Sequence, residues 1–205
     1  MQQRSDEWLK TRVGKITASR ANALMATTKA GKPTSERGKL IASLVAERLT
    51  GEVFQSADSF AMRRGRELED EAVGSYAMAR SLIVQEQPFV DHPTVPWCGC
   101  SPDGLVGDNG LIEAKCPLDP TKHLAALRDG AHAEEYRWQV QHQMMVTGRQ
   151  WCDVVSYHPQ FGDRSLAVTR VERDEDAINH LLIGVAGAHA EVGAILKELR
   201  AEVAA

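Results

Sequence analysis

The chain has 205 residues, 43% of them hydrophobic and 25% charged, with a net charge of −4, which suits one soluble α/β domain that needs no disulfide or metal staples. No apolar run approaches the roughly 20 residues of a membrane-spanning helix, and the start, MQQRSDEWLK, lacks the apolar stretch of a secretory leader, so the expectation is a cytoplasmic protein with no membrane partner. The charge is uneven: residues 1–40 hold nine Lys/Arg against three Asp/Glu, a balance of +6 that leaves −10 for the remainder, and this hints at an anionic partner near the N-terminal region.

Residues 5–13 and 17–27 read as two short helices, the second with Thr17 as N-cap, followed by a basic loop, TTKAGKPT, over 27–34. Ser35 opens a helix to Thr50 with Leu40, Ile41, Leu44, Val45 and Leu49 on one face and Gly51 at its end. Another helix is expected over 58–80. The period then shortens. Leu82–Val90, Trp97–Val106 and Leu111–Cys116 read as strands, the last closed by Pro117, and GDNG at 107–110 marks a hairpin turn. Helices follow at 119–129 and 133–147, then strands at Trp151–Tyr157 and Ser165–Glu172. A last helix from Asp174 carries Ile178, Leu181, Leu182, Val185, Ile195 and Leu199 at helical spacing. This order predicts the α/β (α+β) class, a central mixed β-sheet flanked by helices, as one domain over residues 1–205.

Cys98, Cys100, Cys116 and Cys152 lack the spacing of a zinc site and read as reduced, mostly buried side chains. The histidines, His142 and His158 included, do not pair as metal ligands. Trp138 and Trp151 read as core, and Asp153 and the last helix as interface or surface.

The chemistry concentrates in Ser101-Pro102-Asp103-Gly104 and Glu113-Ala114-Lys115. Residues two apart on a strand share a face, so Glu113 and Lys115 point the same way, and a tight hairpin brings Asp103 near them. Close carboxylates repel, and a bound Mg²⁺ relieves that repulsion, with water and phosphate completing its shell. The lysine then orients or deprotonates a water for attack on phosphorus, as in two-metal nucleases. A surface salt-bridge cluster is the alternative from spacing alone. Against it, Leu111-Ile112 and Cys116-Pro117 bracket the charges in a segment that reads as buried.

The D-x(n)-E-x-K pattern resembles the PD-(D/E)XK nuclease superfamily. Five stretches, that motif included, make the chain similar to the lambda exonuclease family, the YqaJ-type viral recombinases: W-x3-R-x-G-x-I-T-A-S from Trp8 to Ser19, G-x3-E-x2-A from Gly65 to Ala72, C-S-P-D-G-L and L-x-E-x-K-C-P from Cys100 to Pro117, Q-V-Q to V-T from Gln139 to Thr147, and V-E-R-D-E from Val171 to Glu175. The resemblance implies a PD-(D/E)XK core that digests linear double-stranded DNA processively from the 5′ end. It would release 5′-mononucleotides and leave a 3′ single strand for annealing-type recombination.

By the same resemblance Asp103, Glu113, the Ala114 carbonyl and Glu69 hold two Mg²⁺ ions, for which Mn²⁺ substitutes. Lys115 is the catalytic lysine, and Gln139 stands beside the site in preference to Gln141. Arg12 and Ser19, with Ser101, form a pocket for the 5′-terminal phosphate. Lys29 stands where the family has an arginine, and Met62 where an apolar side chain wedges between the strands. The implied partners are duplex DNA ends, two further copies of the chain in a homotrimeric ring, and a single-strand annealing protein of a phage or prophage. A structure-specific or restriction-type endonuclease on the same fold is the alternative.

Overall fold

The computed structural model describes residues 3, 5–53, 59–130 and 132–203. Helix α1 (Asp6–Arg12) starts where the Ser5 hydroxyl accepts from Trp8 N, with acids in its first turn and Lys10 and Arg12 in its last, the order the helix dipole favours. The helix predicted for 17–27 is divided. Ile16 and Thr17 form a short strand, β1, a 3-10 turn covers Ala18–Arg20, and only Ala21–Met25 is α-helical, α2. Thr17 precedes the 3-10 turn, but its hydroxyl caps nothing there. Both β-branched residues join a sheet instead.

Helix α3 (Ser35–Thr50) runs as predicted from the Thr34 cap to Gly51, which takes φ +75°. Leu40, Ile41, Leu44 and Val45 are buried, whereas Leu49 has turned half outward. Helix α4 (Phe60–Arg80) begins after Ser59, whose hydroxyl accepts from Met62 N; the predicted start at residue 58 lies outside the described residues.

The expected strand Leu82–Val90 is two separate pieces, β2 (Val84–Gln85) and β3 (Val90–Asp91), that join different sheets. Pro88 between them has no N–H for a ladder. Trp97–Val106 divides likewise into β4 (Cys98–Cys100) and β5 (Gly104–Val106), with Ser101-Pro102-Asp103 as the crossing between sheets. The long central strand is β6 (Gly110–Lys115). The expected hairpin joins β5 to β6, with Gly107 at φ +52° and Val106 opposite Gly110. A side chain at Gly110 would stand 2.1 Å from the Trp151 ring, so only glycine fits.

Helix α5 (Pro120–Asp129) follows the Asp119 cap. The single helix predicted for 133–147 breaks at Tyr136 into α6 (His132–Glu135) and α7 (Arg137–Thr147). Strands β7 (Trp151–Tyr157) and β8 (Leu166–Glu172) and helix α8 (Glu175–Val203) complete the chain. A three-stranded sheet runs β1–β4–β3, and a five-stranded mixed sheet runs β2–β5–β6–β7–β8 with β6 parallel to β7.

Alternation along β6 and β7 sends Leu111, Cys152 and Val154 to one face, packed with Val140 and Met144 of α7. Ile112 and Val155 go to the other, packed with Tyr76 of α4. The largest apolar cluster joins Ile16, Leu24, Leu44, Leu181 and Val185. Residues 175–201 of α8, of mean hydropathy 1.2, are long and apolar enough to cross a membrane by length and composition, more than the sequence reading allowed. The apolar face of that helix is packed in this cluster.

Asp153 is neither surface nor interface. It is buried, accepting from Tyr76 Oη at 2.7 Å and from Arg170 Nε at 2.8 Å. Trp138 packs against the largest cluster, and Trp151 lies beneath the Arg170 guanidinium. Cys98, Cys100 and Cys152 are buried thiols, Cys116 partly so. His142 and His158 are buried too.

Candidate active site

Strand alternation places Glu113 and Lys115 on the α7 side of β6. Glu113 is only 3% exposed, and three groups hold it. Lys115 Nζ donates to its Oε1 at 2.6 Å, Gln139 Nε2 donates to the same oxygen, and Gln143 Nε2 donates to Oε2 at 2.5 Å. Burial opposes the Lys115 charge, but Glu113 and Asp103 outweigh it and hold the ammonium above its ordinary range. The ammonium also lies 4.5 Å from the centre of the Tyr136 ring. The break between α6 and α7 at Tyr136 is therefore part of the site.

Gln143 was not among the expected residues. Its signal was present in the sequence: it stands four residues after Gln139, hence on the same helix face. Gln141, on another face, ties the end of β8 to the start of α8 through Glu172 O and Asp174 N.

Asp103 follows Pro102 at the crossing between the sheets, and its Oδ2 accepts from Ala114 N at 2.7 Å. The N–H and C=O of one strand residue face the same neighbour, so the Ala114 carbonyl points to the same side as Asp103. Burial, then Glu113, then Glu69 push the Asp103 carboxyl well above the usual carboxylate range. Glu69 is half-buried on α4, whereas Glu67, Asp70 and Glu71 beside it are exposed, and Tyr157 Oη donates to Glu71.

Among the described residues no group of three or more His, Cys, Asp or Glu side chains forms a metal-holding cluster. The donor set nonetheless fits a hard divalent cation, because Mg²⁺ is commonly held by one or two carboxylates with water and phosphate oxygens for the rest. The mutual repulsion at Asp103 is the strain that such a cation would relieve.

A second group of predicted residues meets at the end of α1. Arg12 Nη1 donates to Ser101 Oγ at 3.4 Å and Nη2 to Thr17 Oγ1 at 3.4 Å, while Thr17 Oγ1 and Ser19 Oγ lie 3.3 Å apart. Trp8 Nε1 donates to Ser101 Oγ at 2.9 Å, and the Arg12 guanidinium stacks 4.1 Å from the Trp8 ring centre. Burial, then Arg20, lower Arg12 to about 10, which leaves it a cation at neutral pH. Glu47, whose charge partly offsets this lowering, is turned to Arg20 and Gly14 N. Thr17 and Trp8 complete this group, and both lie inside the motif from Trp8 to Ser19.

Two predicted residues stand apart in the contacts described. Lys29 is exposed in the loop closed by a bridge between Thr27 and Pro33. Met62 is 47% exposed and Phe60 63% exposed at the first turn of α4. Arg64, one turn further on, donates to Cys116 O and Pro117 O and so ties α4 to the end of β6.

A mixed sheet with an Asp, a Glu and a Lys at the β5–β6 edge defines a PD-(D/E)XK-type nuclease core. Residues 7–150 match the YqaJ-like viral recombinase domain, and the chain belongs to that family. Two crystal structures of the Laribacter hongkongensis alkaline exonuclease LHK-Exo are similar throughout. One is 41% identical with a TM-score of 0.88, and the other, a complex with dAMP, is 40% identical with a TM-score of 0.88; each match covers 98% of both chains. A phage-related exonuclease from Haemophilus somnus 129PT shares the fold at 18% identity and a TM-score of 0.74, over 90% of this chain and 96% of that one. No curated protein matches. The chain is a nuclease.

Proposed function

We infer that this nuclease digests one strand of linear double-stranded DNA from the 5′ end, releasing 5′-mononucleotides and leaving a 3′ overhang for annealing-type recombination. The observation that carries the reading is the linkage through Ser101 and Asp103. Ser101 belongs to the Arg12 cluster and Asp103 to the carboxylate edge, and two residues of chain hold their Cα atoms within about 7 Å. That is about two steps of the roughly 3.4 Å rise along one strand. An end-phosphate pocket so close to the cleaving groups selects a terminus rather than an interior bond. The LHK-Exo relative was crystallised with dAMP, the kind of product such an enzyme releases.

In this mechanism Asp103, Glu113, the Ala114 carbonyl and Glu69 hold Mg²⁺, one ion or two, with Mn²⁺ as a substitute. A cation held there would supply Lewis acidity at the scissile phosphate and a more acidic water. Lys115, kept as an ammonium by its two carboxylate neighbours, orients the attacking water and offsets charge developing on phosphorus. Gln139 and Gln143 fix both oxygens of Glu113, and Gln139 also accepts from Lys115. Arg12, with Ser19 and Ser101, seats the terminal phosphate, while Lys29 and Met62 meet the duplex end. A homotrimeric ring, a single-strand annealing partner and a cytoplasmic, phage-associated setting complete the reading.

The test is hydrolysis of linear duplex labelled at either end, with Mg²⁺, beside closed circles and the Lys115→Ala variant. Early release of the 5′ label with the 3′ label retained, intact circles and no cleavage by the variant are expected. Cutting of closed circles would instead establish the endonuclease alternative. Light scattering, read against the mass of one chain, tests the trimer.

A further inference from the structure

Away from the carboxylate edge, a cleft of about 500 Å³ opens between the end of α3, residue 97 and the last turns of α8. Arg48, Trp97, His189, Leu196, Lys197 and Arg200 line it. The lining brings three permanent cations together and no carboxylate, in a chain whose net charge is −4. Glu47, next to Arg48 in sequence, is turned the other way and occupied by Arg20 and Gly14 N.

Arg48 is fixed in place. Its Nε donates to Gly14 O at 3.0 Å, its Nη1 lies 3.2 Å from His189 Nδ1, and its guanidinium sits 4.7 Å from the Trp97 ring centre. Its Nη2 is buried and has no hydrogen-bond partner among the described residues. Such a donor is costly to leave unmatched, and a guanidinium fork suits phosphate in particular. Trp97 stacks on His189 with centroids 4.5 Å apart and rings 12° from parallel, yet the indole stays 38% exposed.

On α8, His189, Gly193, Lys197 and Arg200 follow one face at helical spacing. A side chain at Gly193 would meet nothing within 4 Å, so the cleft is open there. The cleft also backs onto the Arg12 cluster. Arg48 grips Gly14 O, Trp97 O accepts from Ile16 N at 2.7 Å, and the next residue, Thr17, takes an Arg12 N–H.

We propose that this cleft is a second nucleic-acid subsite, binding a phosphate on Arg48, Lys197 and Arg200 with the attached base against the exposed part of Trp97. The proposal rests on the reading that DNA is the substrate, and it concerns a surface outside the cleaving groups. A simple anion would use the cations but not the indole, whereas a nucleotide uses both. The phosphate belongs either to a strand of DNA or to a free mononucleotide.

The test keeps cleavage out of the measurement. Wild type, Lys197→Glu/Arg200→Glu and Trp97→Leu are titrated in EDTA with a fluorescent oligodeoxynucleotide carrying 5-iodouracil, followed by anisotropy and by photo-crosslinking mapped by mass spectrometry. Circular dichroism checks the fold. The double variant changes only exposed positions, so it gives an answer even if Trp97→Leu fails to fold. The expected result is a crosslink in the peptide holding Trp97 and roughly tenfold or weaker binding by each folded variant. The log–log salt slope should also fall by about 0.7 in the double variant, the amount expected for one lost phosphate contact.

Competition by dAMP assigns the site to mononucleotides, and its failure to compete assigns it to a strand; either supports the proposal. Unchanged binding and slope in the double variant, with no Trp97 crosslink, overturn it. So does a polyglutamate peptide that crosslinks there while DNA does not, which would make the cleft a dock for an acidic protein segment. The end-label assay stands apart, because wild type that fails to cleave linear duplex overturns the exonuclease reading while leaving this binding result intact.

Discussion

Gln143 donates its Nε2 to Glu113 Oε2 at 2.5 Å from one helical turn beyond Gln139, which donates to the other oxygen. The buried carboxylate is thus gripped at both oxygens by a single face of α7, with Lys115 as its only ionic partner among the described residues.

Removing one of those amides should loosen the carboxylate without unfolding the helix. Gln143→Met keeps the volume and loses one hydrogen bond to a charged group, a contribution of about 1.5–3 kcal/mol. The expected outcome is a kcat lowered roughly tenfold or more, at a higher Mg²⁺ requirement, with a melting temperature lowered by several degrees at about 2–4 °C per kcal/mol. Measuring kcat across a Mg²⁺ series decides it. Wild-type kcat and metal dependence in the variant would make Gln143 a packing residue only.

Asp103 sets stability against activity. Its carboxyl is held above the ordinary range by burial, Glu113 and Glu69. A raised acid favours the fold while it stays protonated, and its contribution turns unfavourable as pH rises through the unfolded value of about 3.9. Asp103→Asn, which still accepts from Ala114 N, should therefore melt higher than wild type at pH 7 without metal and should not cleave DNA. Adding Mg²⁺ should raise the melting temperature of wild type and leave the variant unmoved. A variant that melts lower than wild type in EDTA would show that repulsion at this edge is negligible.

Arg12 remains a cation at neutral pH, since burial and Arg20 bring it down only to about 10. Arg12→Ala should lose the preference for 5′-phosphorylated over 5′-hydroxyl ends, a ratio of roughly ten- to hundredfold if one charged contact of about 1.5–3 kcal/mol carries it. Arg12→Lys should keep the charge but only part of the ratio, because the fork is gone. Comparing kcat/KM on the two substrates is the measurement. An unchanged ratio in Arg12→Ala would place the phosphate elsewhere.

His142 is buried, with Nε2 3.2 Å from Cys98 Sγ and no partner for Nδ1 among the described residues. Burial, then His92, lower it to about 3. Below the unfolded value of about 6.5 the unfolded chain takes a proton that the folded chain refuses, so stability falls as pH drops from about 6.5 towards 3. The slope approaches about 1.4 kcal/mol per pH unit from this one group. Urea midpoints between pH 7 and 5 should fall less steeply in His142→Gln than in wild type. Parallel slopes would mean that His142 accepts its proton in the fold.

Local rules sufficed for α3, α4, β7, β8 and α8, where apolar spacing, caps and β-branched runs all favour one conformation. They also marked the β5–β6 hairpin and the alternation that puts Glu113 and Lys115 on one face, because a period of two and a glycine turn are written in consecutive residues. The tertiary structure decided what depends on distant partners. Thr17 became a strand residue because Gly99 pairs with it, and the stretch 97–106 split because its halves serve different sheets. Asp153 is interior because Tyr76 and Arg170 reach it across the fold. Gln143 joined the site because packing turned its face of α7 toward Glu113, and the joining of Arg48, Trp97 and His189 rests on contacts up to 141 residues apart in the chain. Local sequence carries backbone preference and periodicity, but which faces meet is set by burial of the whole chain at once.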